Sequence, residues 1–262
     1  MSRDDGVIRI TEHRVLVDAM GLGAREVVVF TGAGAIAEVM DDLSSELSME
    51  GRVVVTATTQ LAAPPGQAGA PLILAERCED VEAGVRDGFV SNRCVVVTRS
   101  PLADGRLRGL PRKWIDQLVA ACIAEYVIVA ADTSRGELLK MPGMDEPIIP
   151  SCATLVVPVA GADALDKPVS DGIVHRPEVL AAKLGLQFRQ RIEAKHIAAA
   201  LVGPGGCASD APEGVRVLPL LTNAGGVADV KLRTIVYALR KVGSRVVIAH
   251  GGMGVARVLR FE

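Results

Sequence analysis

Seven short runs of β-branched and aliphatic residues dominate the chain: EVVVFT (26–31), RVVVTA (52–57), CVVVT (94–98), YVIVAA (126–131), TLVVPVAG (154–161), VRVLPLL (215–221) and SRVVIAH (244–250). Each is nearly continuous in apolar character and ends at turn residues, rather than alternating apolar with polar. That pattern suits strands covered on both faces, which requires helices on both sides of a mostly parallel sheet. Aromatic residues make up 3% of the chain, so Val, Leu, Ile and Ala must fill the core. The intervening segments supply the helices. Ile36, Val39, Met40, Leu43 and Leu47 recur at helical spacing, with Glu38, Asp41, Asp42 and Glu46 on other faces. Residues 111–122, 176–185, 193–202 and 231–243 read as further helices, the last two stopped by Gly203 and Gly243. The expected fold is therefore α/β and doubly wound. No internal repeat or long linker divides it, so residues 1–262 read as one domain, with a soft subdivision near 162 (1–161 and 162–262).

Charge and cysteine content narrow the function classes. A net charge of −2 and a pI near 6.1 leave no general basic surface for nucleic acid. The apolar runs fall far short of the ~20 residues of a membrane-spanning helix, and the MSRDD start (1–5) is no signal peptide. Cysteines 78, 94, 122, 152 and 207 form no CxxC pair and no zinc-site spacing, which points to reduced thiols, a cytoplasmic setting and no metal centre. Cys94 opens a strand as a core residue; Cys152 and Cys207, in loops, read as packing or as reactive thiols.

Every strand ends in small or polar residues: GAGA, TATT, TRS, ADTSR, GADA, TNAGG and HGGMG. Ligands of open parallel sheets bind at that carboxyl edge. PPGQAGAP (64–71) reads as a Pro/Gly loop and MPGMDEPIIP (141–150) as a second one, with two charges among three prolines. Within GAGAIA, Gly32, Gly34 and Ala37 satisfy a dinucleotide fingerprint, but the second strand ends VVVTATTQ without the acid that would hold a ribose. As a phosphate loop, the turn has Ile36 and Ala37 where Lys and Ser or Thr belong. Five acids and no Lys or Arg occupy residues 36–50, an unfavourable setting for a triphosphate. A plain strand-to-helix turn is the third reading.

Five segments, in order, resemble the YqeC-like family, accessory proteins of selenium-dependent molybdenum hydroxylases: VVVFTGAGAIAEVMDDLSSEL, GRVVVTATTQLAAP, VIVAADTSRGELLKMPGMDEPIIP, VVPVAGADALDKPVSDGIVHRPEVLAAKLG and VLPLLTNAGGVAD. The most specific parts are Lys140, Pro142, Glu146, Pro147 and Pro150, then Gly161 to Pro168 with His175 to Glu178. The resemblance implies a P-loop NTPase-like fold with a loop G-x-G-G-K-T-[ST], threonines after the second strand, an acid and "DG" after a later strand, and NK-x-D near the end. This chain keeps Gly32, Gly34, Thr56, Thr58, Thr59 and Asp132, and echoes the last motif with Asn223 and Asp229. It departs at Ala35, Ile36, Ala37, Glu38, Ala130, Thr133 and Ala224.

What the resemblance implies is a maturation factor for a molybdenum-dependent hydroxylase; the loop that has lost the Walker lysine adds the expectation that it does not hydrolyse NTP by itself. Its partners would be the hydroxylase or other maturation proteins, and its ligand a small anion, a nucleotide or a nucleotide-bearing molybdenum cofactor rather than Mg-NTP. The alternatives are an active NTPase or nucleotidyltransferase of molybdenum cofactor biosynthesis, and a Rossmann-type NAD(P)-binding protein. Asp132, Lys140, Glu146 and His175 are the candidate catalytic residues, His175 because its ordinary pKa lies near neutrality. Gly32, Gly34, Thr56, Thr58, Thr59, Arg135, Lys140, Arg176 and Asn223 are the candidate ligand-binding residues, the arginines for bidentate anion recognition. Simpler roles stand beside these: Lys140 and Glu146 as a salt bridge bracing a loop, HRPE as a helix start, and the threonines as strand formers.

Overall fold

The computed structural model describes residues 8–62, 64, 66, 68–244, 247–250 and 258–261. The MSRDD start, the glycines that follow His250, and Pro65 and Gln67 of the 64–71 loop lie outside the described residues.

In chain order the first half contains β1 (Ile10–His13), α1 (Leu16–Met20), β2 (Glu26–Gly32), α2 (Ile36–Glu50), β3 (Val53–Ala57), β4 (Leu72–Leu74), α3 (Cys78–Gly88), β5 (Cys94–Pro101), β6 (Leu107–Arg108), α4 (Arg112–Ala120) and β7 (Tyr126–Ala130). The second half contains β8 (Leu139–Lys140), β9 (Leu155–Gly161), β10 (Val174–His175), α5 (Pro177–Leu184), α6 (Ala194–Val202), β11 (Arg216–Val217), β12 (Leu220–Thr222), α7 (Asp229–Lys241), β13 (Val247–His250) and β14 (Val258–Phe261).

The main sheet runs β1-β14-β13-β12-β9-β2-β7-β3-β5-β4, and from β13 to β4 every neighbouring pair is parallel. Only β14 and β1, antiparallel at one end, and β6, antiparallel to β5, depart from this. A separate parallel pair, β8 with β10, has His175 opposite Lys140. The run 215–221 is split because Pro219 has no N–H to give: β11 and β12 both pair with β9 in one continuous register on either side of it.

β2, β3, β7 and β9, which lack alternation, are buried at every position, whereas β11, from a run read the same way, is exposed at both residues. Val28 and Phe30 of β2 pack with Leu16, Val39 and Leu43 of α1 and α2, while Val27 and Val29 pack with Val81 and Ile115 of α3 and α4. Ala160 and Leu221 join a cluster with α5, α6 and α7. Truncating a buried Leu such as Leu43 to Ala in a core of this kind costs about 2–5 kcal/mol. α1 has Val15 at its N-cap and no capping side chain of its own; the Glu46 carboxylate of α2 accepts the N–H groups of Leu16 and Val17, both at 2.9 Å.

Candidate functional site

A cavity of about 1040 Å³ opens at the carboxyl ends of β3, β5 and β7. Thr58, Thr59 and Gln60 follow β3, Arg99 ends β5, and Arg106, Arg108 and Gly109 surround β6. Ala131 and residues 133–136 follow β7; Lys140, Asp145, Glu146, Ile148 and His175 close the other side. Pairing of β6 with β5 places Arg108 directly opposite Arg99. Two like charges so placed repel, and Glu76 relieves them by accepting from Arg99 at 2.9 Å and Arg108 at 3.0 Å. Hydrogen bonds from Ser100, then from Arg99, hold the Glu76 carboxyl down at about 2. Arg99 also lies 5.8 Å from the ring centre of Trp114, the chain's one tryptophan, and Arg106 pairs with Asp104 at 2.7 Å. Gly109 is needed for the close fit: a Cβ there would stand 2.5 Å from the Thr59 carbonyl.

Lys140 is 2% exposed and forms the floor of the cavity's far end. Its Nζ donates to Asp132 Oδ1, to the Thr133 carbonyl at 3.3 Å and to Glu146 Oε2 at 2.9 Å. Glu146 Oε2 also accepts from Arg176 and from the Gly143 N–H at 3.2 Å. Burial pushes the Asp132 carboxyl up to about 6 against the pull of Lys140, and its Oδ2 has no partner among the described residues. Burial also acts to raise Glu146, but Lys140, the Gly143 N–H and Arg176 outweigh it and hold that carboxyl below its ordinary value. The Lys140–Asp132 pair is costly to break from one side, because the remaining charge is then buried alone, whereas Glu146 and Arg176 are partly exposed.

The glycine turn lies apart from this cavity, at the junction of β2 with β9 and β12. Ala33 N–H donates to Val159 O at 3.1 Å, Gly34 N–H to Glu137 O at 2.9 Å, Ala35 N–H to Thr222 Oγ1 at 3.3 Å and Ile36 N–H to Gly34 O at 2.9 Å. These donors, which a phosphate loop would turn toward its ligand, are bound within the protein. Gly32 and Gly34 have φ of 99° and 96°, and a Cβ at Gly32 would sit 2.4 Å from Val159 O, so both serve close backbone packing.

Of the other residues singled out from the sequence, Thr58, Thr59, Arg135, Lys140, Glu146 and His175 line the cavity together. Thr56 is buried and donates to Val97 O at 2.7 Å. Asp132 sits behind Lys140, and Arg176 behind Glu146 at the N-cap of α5, with Pro177 and Glu178 in the first turn. His175 Nδ1 is 3.4 Å from Glu137 Oε2. Asn223 donates to Asp163 Oδ1 at 3.2 Å, and Asp163 in turn holds Lys167 at 2.9 Å, so the GADALDK motif braces the β9–β12 corner, not the cavity. Burial and Asp116 push the Cys152 thiol up to about 12, and burial raises Cys207, which is wholly enclosed; both are protonated packing groups. No cluster of three or more His, Cys, Asp or Glu fit to hold a metal occurs among the described residues.

Sequence reasoning passed over Arg99, Arg106 and Arg108. The available signal was three arginines within the ten residues that follow Thr98, in TRSPLADGRLRG.

The family model described as YqeC protein matches residues 28–178, a span that contains every residue lining the cavity. The chain is 28% identical over 209 residues to the uncharacterized protein YqeC of Escherichia coli (strain K12), covering 79% of this chain and 80% of that protein.

Proposed function

This chain belongs to the YqeC family, and from that premise we propose that it is an accessory factor in maturation of a molybdenum-dependent, in the family's setting selenium-dependent, hydroxylase. It holds an anionic, nucleotide-bearing form of the cofactor in the cavity at the ends of β3, β5 and β7 and does not hydrolyse NTP by itself. The observation that carries this is the cavity's charge: five Lys or Arg side chains and two acids line it in a chain whose net charge is −2. Guanidinium groups bind phosphates bidentately.

The hydroxyls support the same ligand class. Thr58 donates to Ile148 O at 2.7 Å, Thr133 to Gln60 O at 3.5 Å and Ser134 to Glu137 O at 3.1 Å. With their protons directed to the backbone, these oxygens serve as acceptors. The cavity thus combines cationic donors with neutral acceptors, suiting a molecule that carries both phosphate and N–H or O–H groups. Its volume lies at the upper end of the ~300–1000 Å³ typical of small-ligand sites. The absence of the Walker lysine, together with the committed donors of the glycine turn, argues against autonomous phosphate transfer there.

Deleting the gene in its host is expected to leave molybdenum hydroxylase polypeptides at normal levels with reduced molybdenum content and turnover. Hydroxylases of normal metal content and activity in the deletion strain would reject the proposal. Purified protein should release no phosphate from ATP, GTP or CTP with Mg²⁺; steady release that is lost on Arg99→Gln would favour an active nucleotide enzyme instead.

A further inference from the structure

The Glu146 carboxylate occupies a place that reads as an anion subsite. Three donors of different kinds converge on the single atom Oε2: the Lys140 ammonium at 2.9 Å, the Arg176 guanidinium, and the Gly143 N–H at 3.2 Å. An ammonium, a guanidinium and a backbone N–H together are a donor set that binds a carboxylate or phosphate oxygen. Lys140 and Glu146 both line the cavity while Asp132 does not, so Glu146 is the acidic partner of Lys140 on the side a ligand enters.

Two further features set Glu146 apart from a fixed core partner. Asp132 and the Thr133 carbonyl satisfy Lys140 from within, independently of Glu146. Lys140 and Arg176 balance Asp132 and Glu146, so withdrawing Glu146 leaves one positive charge in excess, which an incoming anion would neutralise. Glu146 also belongs to a stretch, 141–150, without helix or strand. That stretch is anchored at both ends, by Lys183 Nζ on Pro142 O at 2.7 Å and by Thr58 Oγ1 on Ile148 O at 2.7 Å. Between the anchors Met144 is wholly exposed, and Glu146 closes the turn through Gly143.

We propose that Lys140, Arg176 and the Gly143 N–H form a second anion subsite of the cavity, filled by Glu146 in the free protein and taken over by a phosphate or carboxylate group of the ligand. It rests on the reading of the cavity as an anion site and adds a terminal subsite distinct from the wall formed by Arg99, Arg106 and Arg108. Asp132 is then a positioning residue that holds the Lys140 ammonium in place.

Calorimetric titration of the full chain with inorganic pyrophosphate tests the subsite. Glu146→Gln keeps the shape and removes the internal competitor, so affinity should rise about tenfold, the scale of one charge-assisted contact. Adding Arg176→Gln to that variant should return affinity to the starting level or below. Affinity unchanged or weakened by Glu146→Gln overturns the subsite. A separate Arg99→Gln/Arg108→Gln variant keeps the two readings distinguishable. If it weakens pyrophosphate binding while Glu146→Gln does nothing, the subsite fails and the cavity reading stands. If it leaves binding unchanged while Glu146→Gln strengthens it and Arg176→Gln reverses that gain, the subsite stands and the arginine wall is refuted. Absence of binding to wild type and to Glu146→Gln overturns the subsite outright.

Discussion

At the end of β2 the chain turns on Gly32 and Gly34, and the N–H groups of residues 33–36 go to Val159, Glu137, Thr222 and Gly34. At the ends of β3, β5 and β7, three strands away at most, the chain leaves a cavity of about 1040 Å³ and surrounds it with arginines whose partners are surface carboxylates. The first corner has the local sequence of an anion-binding turn and no spare donors among those four; the second has no recognised motif and an excess of them. Anion binding depends on donors left over after folding, and local sequence does not report how many are left. Lys140 lies between the two corners, tied to the cavity by its position and to the core by Asp132.

The largest effect should come from severing that tie. Lys140→Met leaves Asp132 buried without its cation and is expected to lower unfolding free energy by about 3–5 kcal/mol, with partial recovery in Lys140→Met/Asp132→Asn. Urea denaturation measures both, and a single variant as stable as wild type would mean the pair contributes nothing to the fold. Next, Gly32→Ala forces a Cβ toward Val159 O at a φ of 99°, which should cost about 3 kcal/mol while leaving pyrophosphate affinity of the folded protein unchanged. Loss of affinity at normal stability would break the comparison, because it would make the turn a binding element.

The pH dependence sharpens it further. Asp132 holds its proton more tightly folded, at about 6, than its unfolded value of 3.8. Between those values the folded state binds more protons, so this group's contribution is fully present at lower pH and is lost as pH rises through 6. The difference in unfolding free energy between wild type and Asp132→Asn should therefore fall by ~2 kcal/mol from about pH 4 to pH 6. A flat difference across that window would show that Lys140 keeps Asp132 ionised throughout. The smallest effect on stability belongs to the open corner. Arg99→Gln/Arg108→Gln should change unfolding free energy by under ~1 kcal/mol, since pairs of this exposure contribute little. The same change should weaken pyrophosphate binding about tenfold and mute the Trp114 fluorescence response to it.

Much of the scaffold was legible residue by residue. The runs at 26–31, 52–57, 94–98, 126–131 and 154–161 became β2, β3, β5, β7 and β9, and helix α5 begins on the HRPE segment with Pro177 in its first turn. Continuous apolar character reports two-sided burial directly, which is why these readings succeeded. The antiparallel edge was not legible, since β1 and β14 are short and meet through partners such as Ile10 and Phe261 at opposite ends of the chain. Nor was the arginine wall: Arg99 and Arg108 acquire their shared anchor from Glu76, more than twenty residues upstream. The Lys140–Glu146 pair was visible as a loop brace, but its burial and its link to Asp132 depend on how β7 and β8 come together.

The sequence by itself determined the α/β class, the burial of the central strands, the small and polar residues gathered at the carboxyl edge of the sheet, and the lack of a lysine after the glycine turn. Each of these is a property of residue types along a short stretch. The tertiary structure alone decided which stretch of that edge is open, where Lys140 and the arginines converge, and that the glycine turn is closed. Those outcomes depend on donors, acceptors and charges brought together from distant segments, and hydrogen bonds made at long range are not written in any local pattern.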